Sequence, residues 1–176
     1  MTASPLLRVE RLGMSFGGLK AVDEVDLEVR AGKITAIIGP NGAGKTTFFN
    51  LVSGFYAPTE GRIVFDGEDV TGLPPHRMAR RGVARTFQTT RLFPEASVLD
   101  NVIVGRRLHT KTNVFDAVLR SRRHRREEEQ SREKALDALE ATGTRELADV
   151  PVANVSQEAR KRVAIALALA TEPRLL

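Results

Sequence analysis

Alternating apolar and polar positions dominate the first thirty residues of the chain. Val25, Leu27 and Val29 are separated by acidic residues, and this alternation predicts a half-buried strand. Leu6–Glu10 is a second strand candidate, and the turn-rich stretch Phe16-Gly17-Gly18 separates the two. The pattern therefore predicts β structure at the start of the chain.

The pattern then changes to a continuous apolar run followed by a helical period. Ile34–Ile38 has the length and the β-branched composition of a buried parallel strand. Residues 46–53 fit one amphipathic helix that ends at Gly54. The glycine-rich residues 39–45 are thus predicted to form a strand-to-helix loop.

A second group of short elements follows. Residues 62–70 predict a β-hairpin, because Asp66-Gly67 is a strong turn dipeptide. A short helix is expected over His76–Arg81, since proline stands just before it, as in the first turn of a helix. Val83–Phe87 is a further strand candidate, and Gln88 follows it at a strand end, where ligands bind in open α/β sheets.

The rest of the chain is mainly helical in pattern. Ser97 is a candidate N-cap for a helix through Val104. A longer helical stretch covers Phe115–Ala141, and a final helix covers Glu158–Ala170. The last two residues, Leu175-Leu176, look like the first step of another strand.

The composition suits a folded domain without disulfides. Apolar residues make up 41% of the 176 positions, and cysteine is absent, which excludes a thiolate metal site. The longest apolar run, Val163–Ala170, is far shorter than the roughly 20 residues that a membrane-spanning helix needs. We therefore expect any link to a membrane to run through a partner.

The net charge of +5 is mild, and much of the basic excess lies in Arg120–Arg126. Such a run can contact nucleic acid or anionic lipid head groups. It leads directly into Glu127-Glu128-Glu129, and no aromatic residue is interleaved to stack on bases. A solvated helix face with Glu and Arg one turn apart is therefore favoured, and no direct nucleic-acid partner is expected.

Residues 39–46 spell G-x-x-x-x-G-K-[ST], the phosphate-binding loop, between the predicted strand and the predicted helix. Its glycines let backbone N–H groups approach phosphates closely, and the helix N-terminus adds further donors and a favourable dipole. Lys45 would reach the β- and γ-phosphates, and the Thr46 hydroxyl would ligate Mg²⁺. The candidate nucleotide-binding residues of this loop are Gly39, Asn41, Gly42, Ala43, Gly44, Lys45, Thr46 and Thr47.

Further stretches accompany this loop, namely Gly54–Gly61, Thr71–Arg77, Ala84–Gln88, Arg91–Pro94 and Asp100–Val102. With them, the whole chain resembles the nucleotide-binding subunits of ABC transporters, and most closely the ATP-binding proteins of bacterial branched-chain amino acid importers. The resemblance implies an α/β fold: a P-loop NTPase core with an antiparallel β subdomain and an inserted α-helical subdomain. The implied parts are residues 1–88 for the core with its β subdomain, 89–154 for the helical subdomain, and 155–176 for the signature helix and the start of the Walker B strand.

The resemblance also implies roles for single residues. Phe16, which from the residues alone is either a minor core side chain or a base-stacking one, becomes the aromatic that stacks on adenine. Gln88 becomes the glutamine that contacts Mg²⁺ and the attacking water. The implied ligands are ATP and Mg²⁺, with Lys45 and Gln88 as catalytic residues and Thr46 and Gln88 at the metal.

The activity implied by the resemblance is ATP binding and hydrolysis coupled to transport of branched-chain amino acids. The implied partners are permease subunits, contacted through the helical subdomain and the region of Gln88, and a second ATP-binding subunit. The resemblance places the chain in the cytoplasm, peripheral on the inner face of the cell membrane.

The chain departs from the family in its signature motif, which aligns with residues 155–159. Ser156 is present and Gln157 follows it, but Glu158 occupies a position where the family has glycine. In the family this helix start contacts the γ-phosphate bound to the opposite subunit of a dimer. A carboxylate at about 5 Å from a phosphate charge would cost about 3 kcal/mol at an effective dielectric constant of about 20. We therefore expect weaker closure over the partner's nucleotide.

A second departure lies at the end of the sequence. Leu175-Leu176 precede the family's apolar strand with its Mg²⁺-binding Asp, its catalytic Glu and a later switch His. The sequence thus resembles a C-terminally truncated, incomplete nucleotide-binding domain, and we expect it alone to turn over ATP no faster than buffer. The alternative function is a non-catalytic nucleotide-binding or assembly subunit that pairs with an intact ATPase subunit.

Overall fold

The computed structural model describes residues 4–86, 92–108 and 122–176. The chain divides into two units. The first unit extends to Val83 and also contains Leu175, whereas the second runs from Ala84 to Arg174 and also contains Leu176.

The first unit is built on an antiparallel four-stranded sheet with two helices. The strands, in the sheet order β2-β1-β3-β4, are β1 (Leu7–Phe16), β2 (Leu19–Val29), β3 (Glu60–Phe65) and β4 (Glu68–Asp69). The helices are α1 (Lys45–Val52) and α2 (Pro75–Arg80). The predicted N-terminal strands are confirmed, and both run further than the alternation alone indicated. The helix predicted after the glycine-rich loop and the one beginning near the proline pair are also confirmed.

Two tight turns set the register of this sheet. Between β1 and β2, Phe16 pairs with Leu19, and the intervening Gly17 and Gly18 have φ of 52° and 89°. Positive φ at both central residues gives the turn the twist of the flanking strands, which glycine adopts without steric cost. The predicted Asp66-Gly67 turn is confirmed in the same way between β3 and β4, with φ of 52° and 81°.

Buried side chains of the sheet and of α1 and α2 form the core of the first unit. The alternation of β2 turns Val25, Leu27 and Val29 toward this core, while the acidic residues between them are exposed. The largest side chains that are almost fully buried here are Phe65, Leu12, Leu51, Ile63 and Met78.

The strand predicted for Ile34–Ile38 is wrong in this structure. No strand of the described residues pairs with this segment, and Ile34 and Ile38 are 101% and 92% exposed. Apolar composition favours a buried strand, but only hydrogen bonds to a neighbouring strand produce one. Ile37 alone packs partly against the core.

The strand predicted for Val83–Phe87 is corrected as well. Val83 forms a single parallel bridge with Leu175, whose N–H donates to the carbonyl of Gly82 at 3.1 Å. Residues 84–86 form no strand, and Phe87 lies outside the described residues. The start of a strand predicted at the last two residues is therefore present as one bridged residue, Leu175.

The second unit is helical. Its helices are α3 (Val98–Ile103), α4 (Arg122–Ala141) and α5 (Gln157–Leu169), with 3-10 turns at Val104–Leu108, Arg145–Leu147 and Val152–Asn154. The predicted first and last helices are confirmed to within one residue at each end, and the described part of the long one is helical. Its predicted beginning at Phe115 lies outside the described residues.

Two polar side chains fix the start of α3. Ser97 is the N-cap, and its hydroxyl accepts from the N–H of Asp100 at 3.0 Å, as predicted. Asn101, 1% exposed, accepts from Phe93 N–H at 2.7 Å and donates to Phe93 O and Ser97 O. The helices pack around Leu99, Leu139 and other apolar side chains. Within the described ranges, every helix falls short of what a membrane-spanning segment requires.

Candidate functional site

The candidate phosphate loop lies immediately before α1. Gly44 is the N-cap of this helix, with φ of 78°, a left-handed conformation that glycine adopts readily. A Cβ added at Gly44 would lie 2.1 Å from the backbone oxygen of Ala21 in β2. Both the conformation and the contact with β2 therefore require glycine here.

The loop offers backbone N–H groups to a ligand. The first bond of α1 runs from Phe48 N–H to Gly44 O at 2.8 Å, so the N–H groups of Lys45, Thr46 and Thr47 have no partner within the helix. Gly42 has φ of 84°, and a Cβ added there would meet no atom within 4 Å. These donors at the positive end of α1 form the kind of cradle that binds phosphate.

The Lys45 side chain folds back over this loop. Its ammonium donates to Gly39 O at 2.7 Å and to Pro40 O at 2.6 Å. An ammonium group carries three N–H donors, and these two bonds use two of them. The loop thus holds a positive charge beside its own amide donors, with one donor left for an anion.

The loop also supplies an oxygen ligand for a hard cation. The Thr46 side chain, in the first turn of α1, is exposed, and Mg²⁺ prefers oxygen ligands. Among the described residues, no three His, Cys, Asp or Glu side chains are grouped to hold a metal ion. Gln88, the other predicted metal contact, lies outside the described residues.

Phe16 lies at the end of β1, and its ring is 43% exposed. It contacts the ring of Tyr56, which follows α1, with centroids 5.5 Å apart and planes at 78°. Sequence reasoning identified Phe16 and missed Tyr56, because a contact between separate segments leaves no local pattern.

The predicted signature residues lie at the start of α5. Ser156 is the N-cap, and its hydroxyl accepts from Ala159 N–H at 3.2 Å. Gln157 and Glu158 are exposed in the first turn. The Glu158 carboxylate pairs with Arg162 one turn later at 2.5 Å, so its charge is partly balanced from within the same helix.

A charged cluster in the second unit gave no signal in the sequence. Arg106, 5% exposed, donates to Ala170 O at 3.0 Å and pairs with Glu172 at 2.9 Å. Lys134 pairs with the second carboxylate oxygen of Glu172 at 3.2 Å. The Arg106 guanidinium, and after it the Lys134 ammonium, hold the pKa of Glu172 below its ordinary 4.5.

The basic run is described only in part. Arg120 and Ser121 lie outside the described residues, whereas α4 includes the rest of the run, with Arg125 and Arg126 exposed. The predicted residues Gly39–Thr47 are brought together in one loop and helix of the first unit. The signature residues belong to the second unit.

Comparison with known proteins identifies the relatives of this chain. Residues 22–176 match the family described as ABC transporter. The chain is 42% identical over 172 residues to the high-affinity branched-chain amino acid transport ATP-binding protein BraF of Pseudomonas aeruginosa, covering 98% of this chain and 68% of that protein. It is 41% identical over 174 residues to the protein of the same description, LivG, from Escherichia coli, covering 99% and 68%.

A solved structure is also similar to this chain over nearly its whole length. It is an ATP-binding cassette of an ABC transporter in its ADP conformation, with a TM-score of 0.80 and 35% identity, covering 97% of this chain and 66% of that one. The chain therefore spans about two thirds of the length of its relatives. The predicted α/β fold of a P-loop NTPase and the resemblance drawn from the motifs are confirmed.

Proposed function

The chain belongs to the ABC transporter family, and from this premise we propose that it is the ATP-binding subunit of a branched-chain amino acid importer. The support is the function of its relatives, which are branched-chain amino acid transport ATP-binding proteins that align with nearly all of this chain. ATP hydrolysis coupled to transport is the activity proposed with it.

The observation that carries this function is the geometry of the Lys45 ammonium in the phosphate loop. Two of its donors are anchored on Gly39 O and Pro40 O, which leaves the third for a phosphate oxygen. The N–H groups of the first turn of α1 lie beside it, and the Cβ-free Gly42 leaves the approach open. A chain of phosphates meets both a charge and backbone donors here.

Mg²⁺ fits the same place, with the Thr46 hydroxyl as its protein ligand. This ion binds through few protein oxygens and retains water and phosphate ligands, so a single hydroxyl suffices. Held by Thr46, Mg²⁺ would supply positive charge that offsets part of the phosphate charge. We propose Lys45 and Gln88 as the catalytic residues, and Thr47 as a further phosphate donor through its hydroxyl.

The proposed partners follow from the same function. Residues 89–154, the predicted helical subdomain, and the region of Gln88 would contact permease subunits on the inner face of the cell membrane. A second ATP-binding subunit would face the start of α5, where Ser156 and Gln157 would approach its nucleotide. Residues 1–88 and 155–176 would supply the core and the signature helix.

A second function, a non-catalytic subunit paired with an intact ATPase subunit, is favoured by one observation. Glu158 places a carboxylate in the first turn of α5, where the family has glycine, and Arg162 balances it only in part. Glu158→Gly in the assembled dimer separates the two functions. A large rise in turnover shows an impaired catalytic site, and unchanged turnover supports the non-catalytic function.

Calorimetric titration with Mg²⁺ and ATP tests nucleotide binding directly. Lys45→Ala should weaken binding about 10- to 100-fold, enough to abolish a measurable titration signal, since the one hydrogen bond that its remaining donor makes to phosphate contributes about 1.5–3 kcal/mol. Lys33→Ala is the matched control, because Lys33 is an exposed lysine close to the loop in sequence. Equal affinity of the Lys45→Ala and unmodified chains, both shown to be folded by circular dichroism, would refute the proposal.

A further inference from the structure

Phe16 and Tyr56 form an aromatic pair at the surface of the first unit. Their ring centroids are 5.5 Å apart and their planes meet at 78°, the edge-to-face arrangement that aromatic rings prefer. The exposed fractions are 43% and 40%, whereas the nearby core is filled by aliphatic side chains such as Leu12 and Val22. The pair is thus not part of the core and keeps a large apolar surface open to solvent.

Tyr56 leaves part of the Phe16 side chain uncovered. In an edge-to-face pair the edge of one ring meets one face of the other, so Tyr56 covers at most one face of Phe16. Phe16 is 43% exposed, and this exposed surface is what a flat ligand would contact. A phenylalanine at a hairpin tip would otherwise rotate about its side-chain bonds and lose that freedom when a ligand binds.

The backbone around Tyr56 is held on two sides. The N–H groups of Phe55 and Tyr56 both donate to Asn50 O in α1, at 2.8 and 3.3 Å. Shortly after, the N–H and hydroxyl groups of Thr59 donate to Gly13 O in β1, at 3.0 and 3.1 Å. Tyr56 is therefore tied both to the helix that begins at the phosphate loop and to the strand that carries Phe16.

Phe16 is connected to the same loop through β2. Phe16 pairs with Leu19 across the hairpin. Ala21 lies two residues further along β2, about 7 Å away, and its carbonyl lies against Gly44. The aromatic pair is thus linked to the phosphate loop through β2, which pairs with the strand of Phe16, and through α1, which precedes Tyr56.

We propose that Tyr56 is a positioning residue that fixes the plane of the Phe16 ring, the ring to which the resemblance assigns stacking on adenine, so that the two side chains form a purine-binding platform. This inference rests on the proposed ATP-binding function and adds Tyr56 to it. Holding the ring in place before the ligand arrives lowers the entropy lost on binding. The Tyr56 hydroxyl has no hydrogen-bond partner among the described residues. The positioning of Phe16 is therefore assigned to the aromatic ring of Tyr56.

The composition of the chain provides a direct probe of this pair. Tyr56 is the single tyrosine, and tryptophan is absent. Protein labelled with 3-fluorotyrosine therefore gives one ¹⁹F resonance, from Tyr56. ATP with Mg²⁺ should shift this resonance, because a stacked adenine adds its ring current beside Tyr56, whereas tripolyphosphate with Mg²⁺ should leave it nearly unchanged.

Affinity measurements separate positioning from a general effect on the fold. Tyr56→Leu should lower the affinity for ATP about 3- to 10-fold, the range expected for one aromatic pair, and leave the affinity for tripolyphosphate unchanged. Tyr56→Phe should restore the ATP affinity, since it keeps the ring. Phe49→Leu is the matched control: Phe49 is 47% exposed, on α1, and its ring contacts Phe48.

The following outcomes would overturn the inference. An unchanged ATP affinity in Tyr56→Leu, or an equal loss for both ligands, removes the positioning role. If Tyr56→Phe is as impaired as Tyr56→Leu, the hydroxyl binds the ligand and the ring does not position Phe16. ATP and tripolyphosphate binding equally to the unmodified chain would refute the platform alone, whereas binding of neither would refute the proposed function as well.

Discussion

Two glycines of the phosphate loop offer a matched test of how the loop is held. Gly42 and Gly44 have nearly the same φ, 84° and 78°, but their surroundings differ. A Cβ on Gly42 would meet nothing within 4 Å, whereas one on Gly44 would lie 2.1 Å from the Ala21 oxygen. Substitution by alanine therefore applies the same conformational strain at both positions and adds a steric clash at only one.

The size of each effect follows from these contacts. A left-handed conformation costs an L-residue about 1–2 kcal/mol, which is the expected loss in the free energy of unfolding for Gly42→Ala. Gly44→Ala must also displace the β2 backbone from α1, a distortion comparable to overpacking a core, which adds about 1–3 kcal/mol. The difference between the two variants thus isolates the contact between Gly44 and Ala21.

Urea unfolding followed by the fluorescence of Tyr56 measures this difference in the first unit. With a urea dependence of about 2 kcal/mol per molar, the midpoints of the two variants should differ by about 0.5–1.5 M. Gly42→Ala should reduce ATP affinity while changing stability less, because its Cβ enters the open cradle. Midpoints that agree within about 0.2 M would refute the proposed packing of the loop on β2.

Three further predictions concern the second unit and are measured by urea unfolding followed by far-ultraviolet circular dichroism. Glu172→Gln should cost about 1–2 kcal/mol at pH 7 by leaving Arg106 buried without its carboxylate. Because the pKa of Glu172 is lowered in the folded state, its stabilisation exists above pH 4.5 and is lost as the pH falls below that value; a pH-independent difference from the variant would contradict this. Asn101→Ala should cost about 2–3 kcal/mol by leaving buried backbone groups without partners, and a loss under about 0.5 kcal/mol would disprove that role. Ser156→Ala should cost about 1 kcal/mol through the lost N-cap, with Ser156→Thr retaining most of it; equal losses in the two would argue against capping.

Local chemistry explains which predictions succeeded. The helix after the phosphate loop, the Asp66-Gly67 turn and the Ser97 cap depend on residues within a few positions of one another, and all are confirmed. The candidate phosphate loop depends on residues that are equally close in the sequence, so it could be proposed from the sequence, and its binding of phosphate stays a prediction.

Contacts between distant segments explain the failures. Ile34–Ile38 has strand composition, but a strand exists only with a partner, and none among the described residues pairs with it. The Tyr56 contact with Phe16 and the pairing of Arg106 with Glu172 join segments far apart in the chain. Neither contact produces a periodic pattern or a motif in the sequence, so both can be recognised only in the folded structure.

The exposed segment Ile34–Ile38 has a consequence for the behaviour of the chain in solution. It contains no charged residue, proline or glycine, and its outer isoleucines are almost completely accessible. Segments of this kind add to one another edge to edge, so concentrated solutions will favour association into oligomers and precipitates. Ala36→Lys would place a charge in the middle of this exposed stretch and should reduce such association at the concentrations that calorimetry needs.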